Sequence, residues 1–402
     1  MDTMTDSQAS AAPVSRTGIL LLVAGVIFID MAVYSLVIPV LPSYIRLLGV
    51  DAGMLGVIFG MYPAMLFLFS IPMGLLSDRV GRRPVLIVGM VLLAASTALF
   101  GLAATVPALI LARSIQGISA AATWSAGLAL LADTYGQGEL GEKMGVTMAA
   151  MSVGMVIGPV AGGYLYEYVG YTATFIIPSA GAALMALGLF LLPLPRRLQP
   201  AHRRRPALLP ASGISLLAVY AAAVIGVAAT YGILEPFLPV YLADTFAASP
   251  AVVGVVLGLL AFAAIVGQPI AGRLADRHAT GRMLIVAGIL VAGLALAAAM
   301  RAPDLRIVAG AVLLLGFALS IALIPTLPLM ADLYRDEDAQ GVAYGVYNSF
   351  FSVGLALGPF AGALLAGPLA VESILILSAV LLTVAGIVGL LAVLAVRLRH
   401  RG

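Results

Sequence analysis

Apolar stretches of roughly 20 or more residues recur twelve times along this chain, at about 17–45, 52–76, 84–104, 107–132, 144–168, 172–193, 211–243, 250–275, 282–300, 304–332, 340–366 and 371–396. A helix needs about 20 apolar residues to cross a bilayer core, so the pattern predicts an all-α polytopic membrane protein with twelve transmembrane helices. The first run, Gly18 to Leu41, is interrupted by a carboxylate, Asp30, in its middle. An acidic side chain at that depth costs ~2.5–3.5 kcal/mol on insertion scales, and something must offset it. Pro39 and Pro42 break the same run. Broken helices at membrane depth are tolerated where protein or a water-filled cavity satisfies the freed backbone, so this helix is read as lining a cavity.

The gaps between runs alternate in charge. Seventeen Lys and Arg fall in the N-terminal tail, the gaps after even-numbered runs and the C-terminal tail, whereas Arg46, Arg301 and Arg306 are the three in the other gaps. By the positive-inside rule both termini are expected in the cytoplasm, with the protein in the cell (inner) membrane. The longest gap, about 194–210, is rich in Pro and Arg and lies midway. It is read as a cytoplasmic linker between bundles at 1–193 and 211–402. The two parts also match each other: IPMGLLSDRV at 71–80 with PIAGRLADRH at 269–278, GPVAGG at 158–163 with GPFAGA at 358–363, and YSLVIPVLP at 34–42 with YGILEPFLP at 231–239. Three matches in one order at offsets of 197 to 200 predict two pseudo-symmetric six-helix bundles with a translocation site between them.

Composition narrows the function. At 62% hydrophobic and 10% charged the chain is far from the ~45–50% and ~25% of soluble domains. The net charge of +3 forms no basic face, so a nucleic-acid partner is not expected. No cysteine is present, which excludes disulfides and thiolate chemistry. His202, His278 and His400 all fall in gaps, and no acid-rich cluster lies within a run, so neither a metal centre nor intramembrane enzyme chemistry is expected. No phosphate-cradling P-loop appears, which leaves an ion gradient rather than ATP or a bound cofactor as the driving force. Met1 to Ser15 lacks a basic n-region, and no removed signal peptide is expected.

The gap after run 2 reads Gly74, Leu, Leu, Ser, Asp78, Arg79, Val, Gly81, Arg82, Arg83, and is echoed after run 8 around Gly272, Asp276 and Arg277. It resembles the signature loop of the major facilitator superfamily. The resemblance implies that fold and a conformational latch in which Asp78 meets a helix N-terminus and the arginines pair with acids such as Asp133. Run 5 carries Gly154, Gly158, Pro159, Gly162 and Gly163, a pattern similar to the antiporter motif of that superfamily. Small residues four apart also let any two membrane helices approach closely.

Run 4 contains Arg113 in ARSIQG, about six residues inside its helix, where it either snorkels to the interface or needs a partner. The candidate partner is Glu235, in ILEPFLP of run 7, expected at similar depth. These phrases, GPVAGGYLYEYVG, and Asp30 nine residues before Pro39 together resemble the vesicular monoamine transporters and their relatives in the twelve-helix drug:proton antiporter group. That resemblance implies that Asp30 contacts a substrate amine, that Glu235 and Arg113 line the outer cavity, and that protons drive export. Where the group has a lysine and aspartate pair, this chain has Tyr62 and Asn348, so both charges are absent together.

The residues alone support a parallel reading. A buried carboxylate favours its protonated form and a cation favours the ionised one, so proton and organic cation can compete for one site. In the repeat register Asp30 and Glu235 differ by eight positions, about 12 Å of helix rise, which predicts two separate sites along one path. Tyr34, Tyr231, Tyr241, Tyr344, Tyr347, Phe351 and Trp124 are candidate aromatic walls, the alternative being packing or interfacial belts. Asn348 is the candidate polar residue of run 11, and Gln268 a weaker one. The expectation is a monomeric, lipid-embedded antiporter of small organic cations and protons. A symporter or facilitator for a neutral metabolite is the rival, disfavoured by Asp30 and the run 5 motif.

Overall fold

A computed structural model describes residues 15–192, 213–275, 278–334 and 340–399. The expected linker at 194–210 and the second loop copy at Asp276 and Arg277 lie outside the described residues. The helices are α1 (Arg16–Leu47), α2 (Ala52–Val80), α3 (Arg82–Leu102), α4 (Val106–Thr134), α5 (Gln137–Val169), α6 (Tyr171–Leu191), α7 (Ile214–Phe246), α8 (Pro250–Ala275), α9 (His278–Arg301), α10 (Leu305–Leu323), α11 (Thr326–Ala331), α12 (Gln340–Leu365) and α13 (Val371–Arg399). Among the described residues twelve spans are long and apolar enough to cross a membrane, α10 and α11 counting as one. The chain is therefore a multi-pass membrane protein.

The run at 304–332 departs from expectation by splitting in two. Pro325 and Pro328 supply no backbone N–H, so the ladder fails after the Ile324 N–H reaches the Ser320 carbonyl at 3.0 Å. The chain restarts as α11, where the Thr326 hydroxyl bonds the Leu323 carbonyl at 2.5 Å. Elsewhere local chemistry sets the helix boundaries. Asp51 caps α2 by accepting from Met54 N at 3.1 Å, and Asp304 caps α10 by accepting from Arg306 N and Ile307 N at 2.9 and 3.0 Å. Gly81 (φ 100°) and Gly170 (φ 83°) turn the chain between abutting helices in a region that side chains disfavour.

Packing repeats between the first six helices and the rest. Helix α1 lies on α5 as α7 lies on α12; α4 packs on α2 and α3 while α10 packs on α8 and α9; α3 meets α6 as α9 meets α13. The two halves join through α5 with α8 and α2 with α12. Both joints sit at the end of the molecule away from the chain ends. There Gly254 faces the Pro159 carbonyl, and its repeat counterpart Gly56 faces the Pro359 carbonyl, so backbone meets backbone across the two halves.

The hydrophobic core shows the same asymmetry. At this far end one continuous cluster unites the halves, joining Leu41, Ile58 and Phe59 to Phe237, Leu238 and Leu257. Toward the chain ends it divides into one cluster around Val23, Leu86 and Leu130 and another around Leu217, Val224 and Met330. On that side Gly74, Gly145, Gly272 and Gly345, one on each joint helix, have nothing within 4 Å of where a Cβ would stand. The molecule is closed at its far end and parted at the end that carries its termini.

Candidate functional site

Asp30 stands halfway along α1 and is wholly buried, at 0% exposure. Its Oδ2 accepts a hydrogen bond from Trp124 Nε1 at 2.9 Å, and its Oδ1 has no hydrogen-bond partner among the described residues. Among the described residues no Lys or Arg bonds it. Its donor Trp124 and its electrostatic neighbour Tyr62 belong to one apolar cluster with Met31, Tyr34, Ala120, Leu66, Met151 and Met155. Methionines adapt to irregular shapes and aromatic faces attract cations, so this lining suits a cation with an apolar body. Trp124 is ten residues from the end of α4, and Asp30 fourteen from the start of α1, which puts the indole nearer the parted end.

Arg113 does not snorkel. It is the largest fully buried side chain, at 0% exposure, and its guanidinium lies over four rings: Phe59 at 4.8 Å, Tyr34 at 5.2 Å, Phe100 at 5.7 Å and Tyr62 at 5.8 Å to the centroids. Such contacts strengthen when desolvated, which offsets part of the cost of burying the charge. Its Nη1 donates to Gln116 Oε1 at 2.7 Å and to the Tyr34 carbonyl at 3.4 Å, while Nε and Nη2 have no partner among the described residues.

The expected direct pairing of Arg113 with Glu235 is not what forms. Glu235 takes the Tyr34 hydroxyl instead, at 2.7 Å from Oε1 and 2.6 Å from Oε2. Arg113 remains within electrostatic reach of Glu235. The Tyr34 side chain is therefore the node of the site: its ring packs on Tyr62 (centroids 4.3 Å apart, tilted by 37°), lies beneath Arg113, and its hydroxyl reaches the other half. Tyr62 stands within electrostatic reach of both Asp30 and Glu235, with its hydroxyl unpartnered among the described residues.

The other candidates separate. Tyr231 is within electrostatic reach of Tyr347, whose ring stacks on Phe351 at 6.5 Å in a cluster separate from that of Tyr34. Tyr241 belongs to the far-end core, bonded to the Met300 carbonyl at 3.4 Å and set edge-on to Phe246, so it lines no cavity with Asp30. Asn348 is exposed on the parted half of α12, and the Tyr344 side chain lies outside the described residues. Tyr62 and Gln116 join the site without having been expected there, although Gln116 stands three residues after Arg113 and hence on the same helix face.

In the run 5 motif, Gly154, Gly158 and Gly162 meet the α1 backbone at Phe28, Ala32 and Leu36, whereas Gly163 meets the Pro250 carbonyl of α8 in the other half. Among the described residues the bonds of the first loop motif stay within the first half. Arg82 bonds Asp133 Oδ2 at 2.9 Å, Asp78 Oδ1 at 2.5 Å and Ser77 Oγ at 3.2 Å, and Arg83 bonds the Leu189 carbonyl at 3.0 Å and that of Phe190. Gly74 borders open space and Arg79 is exposed.

Twelve spans in two matching sets, closed at one end around buried charges, define a membrane transporter. The family model of the Major Facilitator Superfamily matches residues 23–225 and 220–401, and the chain belongs to that superfamily. It is similar to the synaptic vesicular amine transporter of Homo sapiens, 29% identical over 299 residues, covering 73% of this chain and 57% of the relative. It is also similar to the chromaffin granule amine transporter of Rattus norvegicus, 29% identical over 314 residues, covering 77% and 60%. The matched region thus spans less than two thirds of these curated relatives. In fold it is similar to a bacterial homologue of the human lysosomal transporter Spinster, with a TM-score of 0.79 and 18% identity over 96% of each chain.

Proposed function

We propose that this protein is a proton-coupled antiporter that exports amphipathic cationic small molecules by alternating access. One observation carries the reading: Asp30 is a wholly buried carboxylate with, among the described residues, one oxygen unpartnered and no basic side chain bonded to it. A charge in that setting is uncompensated, and either a proton or a substrate cation relieves it. Both cannot do so at once. Their competition for one oxygen is the minimum condition for exchange.

The neighbouring methionines and aromatics favour an organic cation over a bare inorganic one. The similarity to vesicular amine transporters supports an amine-bearing substrate. With the termini in the cytoplasm, as the distribution of arginines favours, the parted end faces inward and the site awaits its cargo from the cytoplasm. The gradient does the work with no bound cofactor, and a monomer suffices because Asp30, its lining and Glu235 all come from one chain.

The test is uptake into proteoliposomes carrying an imposed pH gradient, using aromatic amines, quaternary ammonium and lipophilic phosphonium compounds. At least one class is expected to accumulate, and the accumulation to collapse when a protonophore dissipates the gradient. Movement of neutral metabolites alone, or of cations without dependence on the gradient, would replace antiport with a symport or facilitator reading.

A further inference from the structure

We propose that Tyr34 and Glu235 form a clasp between the two halves that holds the unloaded protein with its far end closed, and that a proton on Glu235 or a cation drawn to it releases the clasp. This rests on the exchange reading above and adds to it the residue that prevents futile switching. An exchanger must not interconvert when it carries neither proton nor substrate, because an empty return would dissipate the gradient. A contact that is strong only in the unloaded state provides that block.

The geometry supports it in four respects. The bond joins α1 to α7, and so one half to the other, at 2.6 and 2.7 Å. It stands thirteen residues before the end of α1 and eleven before the end of α7, about 16–20 Å below the closed end. The donor is held still by Tyr62 on one face of its ring and Arg113 over the ring, so Glu235 is the partner free to leave. The acceptor is the member whose charge changes. An ionised carboxylate receives a bond roughly twice as strong as a neutral one does, so protonation weakens the clasp without moving any other group.

Among the described residues, other contacts between the halves differ in kind. Those of Gly56, Gly163 and Gly254 are backbone packing, and the carboxylate contact of Glu167 Oε2, which accepts from Ser249 Oγ at 2.8 Å and Ala251 N at 3.4 Å, lies at the exposed rim, where water competes for it. The titratable groups facing Glu235 are Tyr34 from α1, Tyr62 from α2 and Arg113 from α4. Of the remaining helices against α7, α12 presents Tyr347 to Tyr231 and α13 presents Glu372 to Tyr241, while α8, α10 and α11 bring no charged side chain to Glu235 among the described residues.

The chain has no cysteine, so spin labels can be placed without altering native thiols. Labels at A104C and R301C, exposed far-end positions of opposite halves, report far-end opening by pulsed dipolar distance measurement in nanodiscs. The parent is expected to show a short distance at alkaline pH and a growing longer population on acidification. Tyr34→Phe keeps the ring and removes the donor. It should raise the open-to-closed ratio at alkaline pH by about tenfold and flatten the pH response. Glu235→Asp, which keeps the charge but withdraws it by one methylene, should do the same. If both variants keep the distances and pH response of the parent, or if only Glu235→Gln alters them, the clasp is wrong. Cation uptake is scored separately: a pH-dependent distance change lost in Tyr34→Phe, in a parent that accumulates no cation, would overturn antiport and leave the clasp standing.

Discussion

Replacing Asp30 with Asn is expected to abolish gradient-driven accumulation, by about a hundredfold or more, in a protein at least as stable as the parent. The two effects have one cause. Asn keeps an oxygen to accept from Trp124 Nε1, so the 2.9 Å bond survives. It removes a charge that no basic side chain among the described residues bonds, at a depth where insertion scales assign ~2.5–3.5 kcal/mol to an acid. A buried charge kept at a cost to stability is retained for what it binds. Melting temperature measured by intrinsic fluorescence, alongside uptake, checks both halves of the prediction. A destabilised Asp30→Asn protein would instead make Asp30 a structural residue whose unpartnered oxygen has no bearing on transport.

The second large effect is expected within the α5 glycine motif, where two neighbouring positions should fail in different ways. A Cβ on Gly163 would fall on the Pro250 backbone of α8, in the other half, and backbone cannot yield as a flexible side chain can. Gly163→Val should therefore prop the far end open, lengthening the A104C to R301C distance and stopping the cycle while leaving each half folded. A Cβ on Gly158 would fall 2.5 Å from the Ala32 carbonyl of α1 and against the Ser35 hydroxyl, inside the first half. Gly158→Val should cost ~1–3 kcal/mol or more by overpacking and appear as lost yield and lower melting temperature. If Gly163→Val merely lowers stability, as Gly158→Val does, the joint of α5 and α8 is static packing and not a moving gate.

Most of the membrane architecture was legible because it follows from residue spacing. Apolar runs are long enough or they are not, and the repeated GP and LP phrases mark where α5 with α12, and α1 with α7, carry the same backbone contacts in each half. The break of α10 at Pro325 was written in the sequence too, but the leucines and alanines on both sides of Pro325 and Pro328 keep the apolar run long enough to read as one span. Asp30 was conspicuous as a charge in an apolar run. Its partner Trp124 was not, since the rotation of α4 about its axis is set by packing on α2 and α3 and not by composition.

The error at Glu235 is instructive in the same terms. Matching charges at matching depth pointed to Arg113, but Tyr34, 201 residues away in sequence, lies closer and takes both oxygens. Arg113 could be left without a carboxylate because four aromatic rings surround it, and the placement of rings from α1, α2 and α3 around a side chain of α4 cannot be read from spacing along one helix. Tyr241 misled for the opposite reason. It lies too near the far end, where the halves have already merged into one core.

The central claim, that a proton and an organic cation exchange at Asp30, is tested most directly by proton release. Purified protein in weakly buffered detergent solution is mixed with the cation that accumulates best in the uptake assay, and the pH is followed while calorimetry records binding. Linkage requires that a cation displacing a proton release it in step with binding. The parent should release protons that saturate with the cation, and Asp30→Asn should release markedly fewer. Saturable binding with no proton release, or equal release from Asp30→Asn, would contradict the account.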